Sequence, residues 1–251
     1  MSGTRFENVY MAQLAEQSER WDDMVEYMKR VASMGAELSS EERNLLSVAY
    51  KNSVSMCRSA LRQVKSMEIE CSRSHSASDV EAITGYYSRL EAEFNDKCNE
   101  ILEVLGKDLL PTASTADGKV FFLKMKGDYL RYLSEFAIGE KFDTHSIEAQ
   151  TTYEAATKLA EKDLPSQNAL RLSLALNFSV FLFEVMGVKE EFSKLQAAAT
   201  AKRAYDEGLK SYTEHQSDAA EAYTLLQLLR DNINLWTTDS TGPPDDGTVT
   251  E

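Results

Sequence analysis

Apolar residues recur every three or four positions along most of this chain, and that period predicts helix throughout. It is clearest at Ile83, Tyr87, Leu90, Phe94, Cys98, Ile101 and Leu105, which line one face of a long amphipathic helix. Ser78 with Glu81 three residues later marks its start as a capping box, and Ser39 with Glu42 marks another opening a helix that runs to about residue 70. Between them the serine-rich Cys71 to Ala77 reads as a loop. Leu170 to Phe183 is apolar nearly all round, the pattern of a helix enclosed by neighbours, and is expected to be the most buried element. Further helical periods lie at 5–18, 21–34, 115–137, 146–162, 189–210 and 217–236, joined by polar links such as Gly106 to Ala113 and Ser211 to Gln216. The prediction is an all-α chain of about nine helices.

Composition narrows what such a chain can be. At 251 residues and 43% hydrophobic content it can bury a sizeable core as one or two domains. Only Pro111 and Pro165 precede the C-terminal segment, which suits long uninterrupted helices. No 34-residue self-similarity of the tetratricopeptide kind is present. Residues 237–251 carry four acids, no basic residue, two prolines and two glycines, so they are expected to form a disordered acidic tail behind a helical domain at 1–236.

Cys57, Cys71 and Cys98 form an odd set without a C-x-x-C pair, which indicates neither a disulfide framework nor a zinc site and points to a reduced, cytoplasmic setting. Neither a signal-peptide pattern nor a run of about 18 apolar residues is found, so no membrane insertion is expected. With 41 acidic against 27 basic side chains the net charge is −14, which repels nucleic acid and anionic lipid, so no nucleic-acid partner is expected and any anion site must be local. Nothing forms a phosphate-cradling glycine loop, and His75, His145 and His215 fall in separate segments read as exposed. No catalytic constellation, metal site or cofactor is predicted.

One basic cluster stands out. Lys51 and Arg58 are two helical turns apart on one face, and Arg62 extends the row by a turn. On another helix Arg131 sits beside Tyr132, with Asp128 and Glu135 one turn to either side to hold the guanidinium. Two arginines, a lysine and a tyrosine hydroxyl match a phosphate dianion in charge and geometry. Spacing alone also fits ordinary solvated ion pairs.

The wording of the flanking segments decides more. Arg43-Asn44-Leu45-Leu46-Ser47-Val48-Ala49-Tyr50-Lys51-Asn52 resembles the first signature of the 14-3-3 family at all ten positions. Leu123 to Tyr129, Arg131-Tyr132-Leu133, Leu174 to Phe181 and Gln227 to Asn232 resemble it as well, in order along the chain. The resemblance implies a nine-helix protomer with a concave groove, dimeric through its N-terminal helices, acting as a phosphoserine- and phosphothreonine-dependent adaptor rather than an enzyme. Carried over by motif, Lys51, Arg58, Arg131 and Tyr132 would bind the phosphate. Asn177 and Asn232 would bond the peptide main chain with Glu184 and Trp236 nearby, and Leu176, Val180 and Leu228 would wall the groove.

The resemblance also implies an interface, homodimeric or heterodimeric, that pairs Asp23 with Arg89 and Arg20 with Glu93 around Leu14, Val64, Met67 and Tyr86. A helical-repeat scaffold for unphosphorylated peptides is the alternative. The chain departs from the family's pattern at Met56-Cys57, which lowers positive charge beside Arg58, and at Ala60 and Leu61, where a phosphorylatable serine is absent; Thr224 and about five extra residues between Glu184 and Ala204 touch the groove's apolar side, so target preference is expected to differ.

Overall fold

The computed structural model describes residues 3–74, 77–214 and 219–238. Among them are nine α-helices: α1 (Arg5–Gln17), α2 (Trp21–Ala32), α3 (Ser40–Ser74), α4 (Ala77–Val104), α5 (Ala116–Phe136), α6 (Glu140–Asp163), α7 (Ala169–Glu184), α8 (Glu191–Glu214) and α9 (Ala220–Thr238). A π turn, Leu105–Leu109, prolongs α4, and a 3₁₀ turn, Met186–Val188, follows α7. The chain divides into two compact units between Gly118 and Lys119, inside the first turn of α5.

The helix starts illustrate how local chemistry sets boundaries. At the head of α3 the Ser39 amide donates to Glu42 at 2.8 Å and the Glu42 amide to the Ser39 hydroxyl at 3.2 Å, a closed capping box. Thr4 and Glu7 form another at α1. Ser78, expected to cap α4, is instead its second helical residue. The expected loop from Cys71 shrinks because α3 continues to Ser74, and His75 lies outside the described residues, as do His215 and 239–251. Helix α6 begins six residues ahead of its apolar period because Gly139, at φ +57°, makes the turn into it. Helix α9 runs to Thr238, two residues into the stretch expected to be tail.

In the first unit α2, α3 and α4 enclose Met24, Met28, Leu46, Ala49, Leu61, Phe94 and Ile101, all fully buried. The ten-residue signature has a structural reason here. Arg43 is buried with its guanidinium on Asp117 at 2.6 Å, and Tyr50 donates to Glu100 at 2.9 Å from inside the core. Lys51 is left on the outside.

In the second unit an aromatic core of Tyr153, Phe178 and Phe181 joins α6 to α7, with ring centroids 5.4 to 6.4 Å apart. The most buried element is α5, with Tyr129 to Arg131, Leu133 and Ser134 all inside; α7 keeps Leu170, Leu176 and Val180 half-buried. The expectation failed because the polar residues of α5 satisfy one another inside the unit, so its composition hides its depth. Ala169–Val188 is long and apolar enough to cross a membrane, which corrects the reading that no such stretch exists. Interruptions by Arg171, Ser173, Asn177 and Ser179 break the consecutive run without making the segment polar on average. It packs Leu172, Leu174, Phe178, Phe181 and Leu182 into the second unit.

Candidate functional site

Arg131 is where the candidate site is most fully built. Its side chain is nine-tenths buried on α5, with a carboxylate oxygen of Asp128 3.7 Å from one guanidinium nitrogen and the hydroxyl of Tyr153 3.4 Å from Nε. Tyr153 in turn donates to Asp128 at 2.6 Å. Lys124 donates to the other Asp128 oxygen at 3.0 Å, and the Asn177 amide spans both oxygens at 2.8 and 3.0 Å. One buried carboxylate therefore ties α5, α6 and α7 together and answers two cations.

The electrostatics follow from this wiring. Burial opposes ionisation of Asp128, but Lys124, Arg131 and the Tyr153 hydroxyl outweigh it and hold the carboxyl below its ordinary range. Burial also opposes the charge on Arg131, and Tyr153 and Asp128 overcome it, so the guanidinium stays protonated more firmly than a free arginine. Tyr153 is pushed up by burial and by Asp128, which keeps its hydroxyl a donor. The guanidinium carbon lies 4.7 Å from the centre of the Tyr132 ring, and that ring meets Tyr129 edge-on at 5.5 Å. A planar cation held on one side by a carboxylate and a phenol, and on another by an aromatic face, has one orientation available.

The remaining second-unit residues lie on two stripes. Leu176, Asn177, Val180 and Glu184 share one face of α7, and Leu228, Asn232 and Trp236 recur every four residues on α9. Leu228 is 44% exposed and Glu184 is exposed, while Trp236 is buried and stacks on Phe183 with centroids 4.7 Å apart. That stack fixes the C-terminal end of α9 against the end of α7. Asn177 spends its amide on Asp128, whereas the side chain of half-buried Asn232 makes no hydrogen bond among the described residues.

In the first unit Lys51 is exposed and, among the described residues, its side chain makes no hydrogen bond or ion pair; Arg58 is half-buried two turns farther along α3. Large apolar side chains stand exposed on this unit at Tyr10, Leu14, Met67 and Tyr86, with Val64 half-buried. Arg20 binds Asp23 at 2.7 Å, and Arg89 lies over the Tyr86 ring at 5.2 Å. Glu93 accepts from the Cys57 thiol at 3.4 Å and lies 3.6 Å from Lys97. Burial and then Glu93 push that thiol up to about 11, so it is unreactive near neutrality. His145, read as exposed, is half-buried on α6, and burial lowers its pKa.

Tyr153 escaped sequence reasoning. Its distance in sequence from Arg131 hides their contact, and the available signal was Gly127, a glycine inside a helix whose absent side chain makes room for the Tyr153 ring. Among the described residues no cluster of histidine, cysteine, aspartate or glutamate could hold a metal ion.

The similarities to known proteins agree with one another. Residues 11–237 match the family described as 14-3-3 protein. The chain is 42% identical to 14-3-3 protein beta/alpha of Homo sapiens over 247 residues, covering 98% of each. It is 46% identical to Protein BMH2 of Saccharomyces cerevisiae over 244 residues, 95% of this chain and 86% of that one. It is 42% identical to 14-3-3 protein 3 of Entamoeba histolytica over 241 residues, 96% of this chain and 98% of that one.

Proposed function

Because the chain belongs to the 14-3-3 family, whose members are non-enzymatic, all-helical adaptors that bind phosphopeptides, we propose that Lys51, Arg58, Arg131 and Tyr132 are the residues that take the client's phosphate. The observation that carries this reading is the buried Asp128 network, which holds the Arg131 guanidinium in one orientation beside Tyr132. A phosphate gains most from donors that lose no freedom on binding it. Lys51, exposed and uncommitted, and Arg58 supply further positive charge. Phosphoserine and phosphothreonine are the ligands that this donor set suits, and the chain's net charge of −14 disfavours anions elsewhere.

Clients in extended form would bond their main chain to Asn177 and Asn232, with Glu184 and Trp236 nearby, and lay side chains on Leu176, Val180 and Leu228. Asn232 is free to serve a ligand. Asn177 has its carbonyl oxygen to offer while its amide stays on Asp128. Membership also implies phosphorylated clients and a dimer. The pairing proposed for it is Asp23 with Arg89 and Arg20 with Glu93 across a two-fold axis, around Leu14, Val64, Met67 and Tyr86. The exposure of Leu14, Met67 and Tyr86 beside half-buried Val64 supports this. A cytoplasmic setting is supported by three buried, unpaired cysteines.

The test is a titration of one labelled peptide in phosphorylated and unphosphorylated forms. The wild-type protein is expected to bind only the first. Arg58→Ala and Arg131→Ala are each expected to lose about 2–4 kcal/mol of that binding, as when one member of a bonded charge pair is truncated at an interface. Unchanged affinity in both variants would place the phosphate elsewhere.

A further inference from the structure

Helix α1 turns its large apolar side chains the wrong way for a helix of a lone protomer. The face packed inside the first unit carries small or polar residues, Asn8, Ala12 and Ala15. The opposite face carries Phe6, 80% exposed, Tyr10, 53% exposed, and exposed Met11 and Leu14. A surface helix ordinarily buries its apolar stripe and wets the other side. Helical spacing makes the exposed set continuous, because Tyr10 and Met11 lie one turn before Leu14 and Phe6 lies one turn before Tyr10. The helix is also fastened in that orientation. The Arg5 guanidinium donates to both carboxylate oxygens of Glu42 at 2.7 and 2.6 Å and to the Glu37 carbonyl at 2.8 Å, and the Gln13 amide donates to Glu41 at 3.0 Å. Large apolar side chains held in water on a fixed element mark an interaction surface.

What covers it follows from the interface proposed above, with which it is continuous through Leu14. In that pairing Arg20 faces Glu93 of a second copy and Leu14 faces Val64, Met67 and Tyr86 of that copy, so descending numbers along α1 run beside descending numbers along α4. Within a protomer α3 lies antiparallel to α4, with the Cys57 thiol donating to Glu93 at 3.4 Å and the Thr84 hydroxyl to Glu68 at 2.9 Å. One turn before Leu14, Tyr10 and Met11 therefore come to the turn of α4 that precedes Tyr86. There Ala82 is exposed and Ile83 half-buried on the side of α4 that carries Tyr86, and exposed Met67 stands at that level of α3. Phe6 lies one turn farther on the same course. At about 200 Å² per aromatic side chain, Phe6 and Tyr10 leave on the order of 250 Å² of each protomer to be covered. That is a substantial share of the roughly 800 Å² each partner buries in a stable pair, and a two-fold axis makes the contact twice.

We propose that Phe6, Tyr10 and Met11 form an N-terminal extension of the contact with a second copy of this chain, seated on Met67, Ala82 and Ile83 of that copy. The proposal rests on the dimer pairing given above and lengthens it by two turns of α1. Stripe and seat both belong to this chain, so a second copy satisfies them at both ends, whereas a subunit polar at stripe and seat alike satisfies neither. The chain therefore pairs with itself in preference to such a subunit.

The experiment uses the full chain, with a stripe variant, Phe6→Gln with Tyr10→Gln, a seat variant, Ala82→Lys, and Ile138→Gln in the second unit as a control on an exposed apolar residue away from the contact. Each is checked for wild-type helical content and phosphopeptide binding. Mass photometry over a dilution series gives the dimer dissociation constant. The stripe variant and the seat variant should each raise it roughly tenfold or more, and Ile138→Gln should leave it unchanged. An isotopically labelled stripe variant is then mixed with the unlabelled seat variant and the dimers are counted by native mass spectrometry. Each variant's own dimer has both ends damaged, whereas the mixed dimer keeps one intact stripe on one intact seat, so mixed dimers should exceed the half that random exchange gives. A general loss of fold cannot produce that excess. Wild-type and stripe-variant dimers of equal strength would overturn the proposal while leaving the dimer pairing in place. Weakened variants that mix at random would overturn it too, since stripe and seat would then not touch. A wild-type protein that is monomeric at micromolar concentration would overturn the pairing and the extension together.

Discussion

Asp128 is the residue on which the setting of Arg131 in the second unit depends. It bonds Lys124, Tyr153 and Asn177 directly and stands 3.7 Å from Arg131. Replacing it with asparagine leaves two cations facing a neutral amide. Removing one member of a buried pair costs about 3–5 kcal/mol, and the lower end is expected because Lys124 can turn toward water. The loss should depend on pH. In the unfolded chain an aspartate takes up its proton near pH 3.9, whereas in the folded protein Lys124, Arg131 and Tyr153 hold Asp128 below that ordinary range. Between those values the unfolded state binds more protons, so stability rises with pH. The contribution is complete above about pH 5 and disappears as pH falls through the folded-state pKa. Urea unfolding between pH 3 and 7 should therefore show Asp128→Asn well below wild type at pH 7, with the two curves converging in acid. Parallel curves would mean that the charge of Asp128 is not what the network uses.

At the scale of elements, close approach decides what helix propensity does not. A Cβ on Gly127 would stand 2.8–2.9 Å from three carbons of the Tyr153 ring, which is fully buried and cannot retreat. Alanine is favoured over glycine in a helix by about 1 kcal/mol, but overpacking a core costs typically 1–3 kcal/mol. Gly127→Ala is expected to be net destabilising, by up to about 2 kcal/mol, and to weaken phosphopeptide binding by displacing α6 from Arg131. Gly85 on α4 meets nothing within 4 Å, so Gly85→Ala should instead stabilise, by roughly 0.5–1 kcal/mol. Denaturant midpoints of the two variants at one protein concentration check both signs. If Gly127→Ala matches Gly85→Ala, the contact between α5 and α6 is looser than its geometry states.

At the scale of the whole molecule the open matter is assembly. Arg20 and Asp23 bond each other within one protomer, so exchanging their charges together, Arg20→Asp with Asp23→Arg, keeps that local pair. Across the proposed two-fold axis the same exchange sets a carboxylate at position 20 against Glu93 and a guanidinium at position 23 against Arg89, like facing like. The wild-type protein should scatter light as a dimer of twice 28.2 kDa, and the exchanged variant should shift toward the single mass with its helical content intact. A wild-type protein that is monomeric at micromolar concentration would remove the proposed interface.

Periodicity and wording in the sequence determined that this chain is helical, where most helices lie, and which family it belongs to, because a helix repeats its environment every turn and a ten-residue signature leaves little room for chance. They also placed Lys51, Arg58, Arg131 and Tyr132 in one proposal: Lys51 and Arg58 are two turns apart on one helix and share a face, and the family motif joins Arg131 and Tyr132 of another helix to them. Helix ends were less legible: Gly139 starts α6 through a backbone angle that no hydrophobic pattern records, and α3 continues through serines read as a loop. Only the tertiary structure revealed that α5 outranks α7 in depth, that Tyr153 stands behind Arg131, and that Asn177 has already given its amide to Asp128. A buried charge is tolerable only when it is paired and hydrogen-bonded, and Asp128 draws Tyr153 and Asn177 from other helices as well as Lys124 from its own. The depth of α5 therefore depends on residues 22 to 49 positions away from Arg131 and Asp128, a separation at which spacing along one helix carries no information.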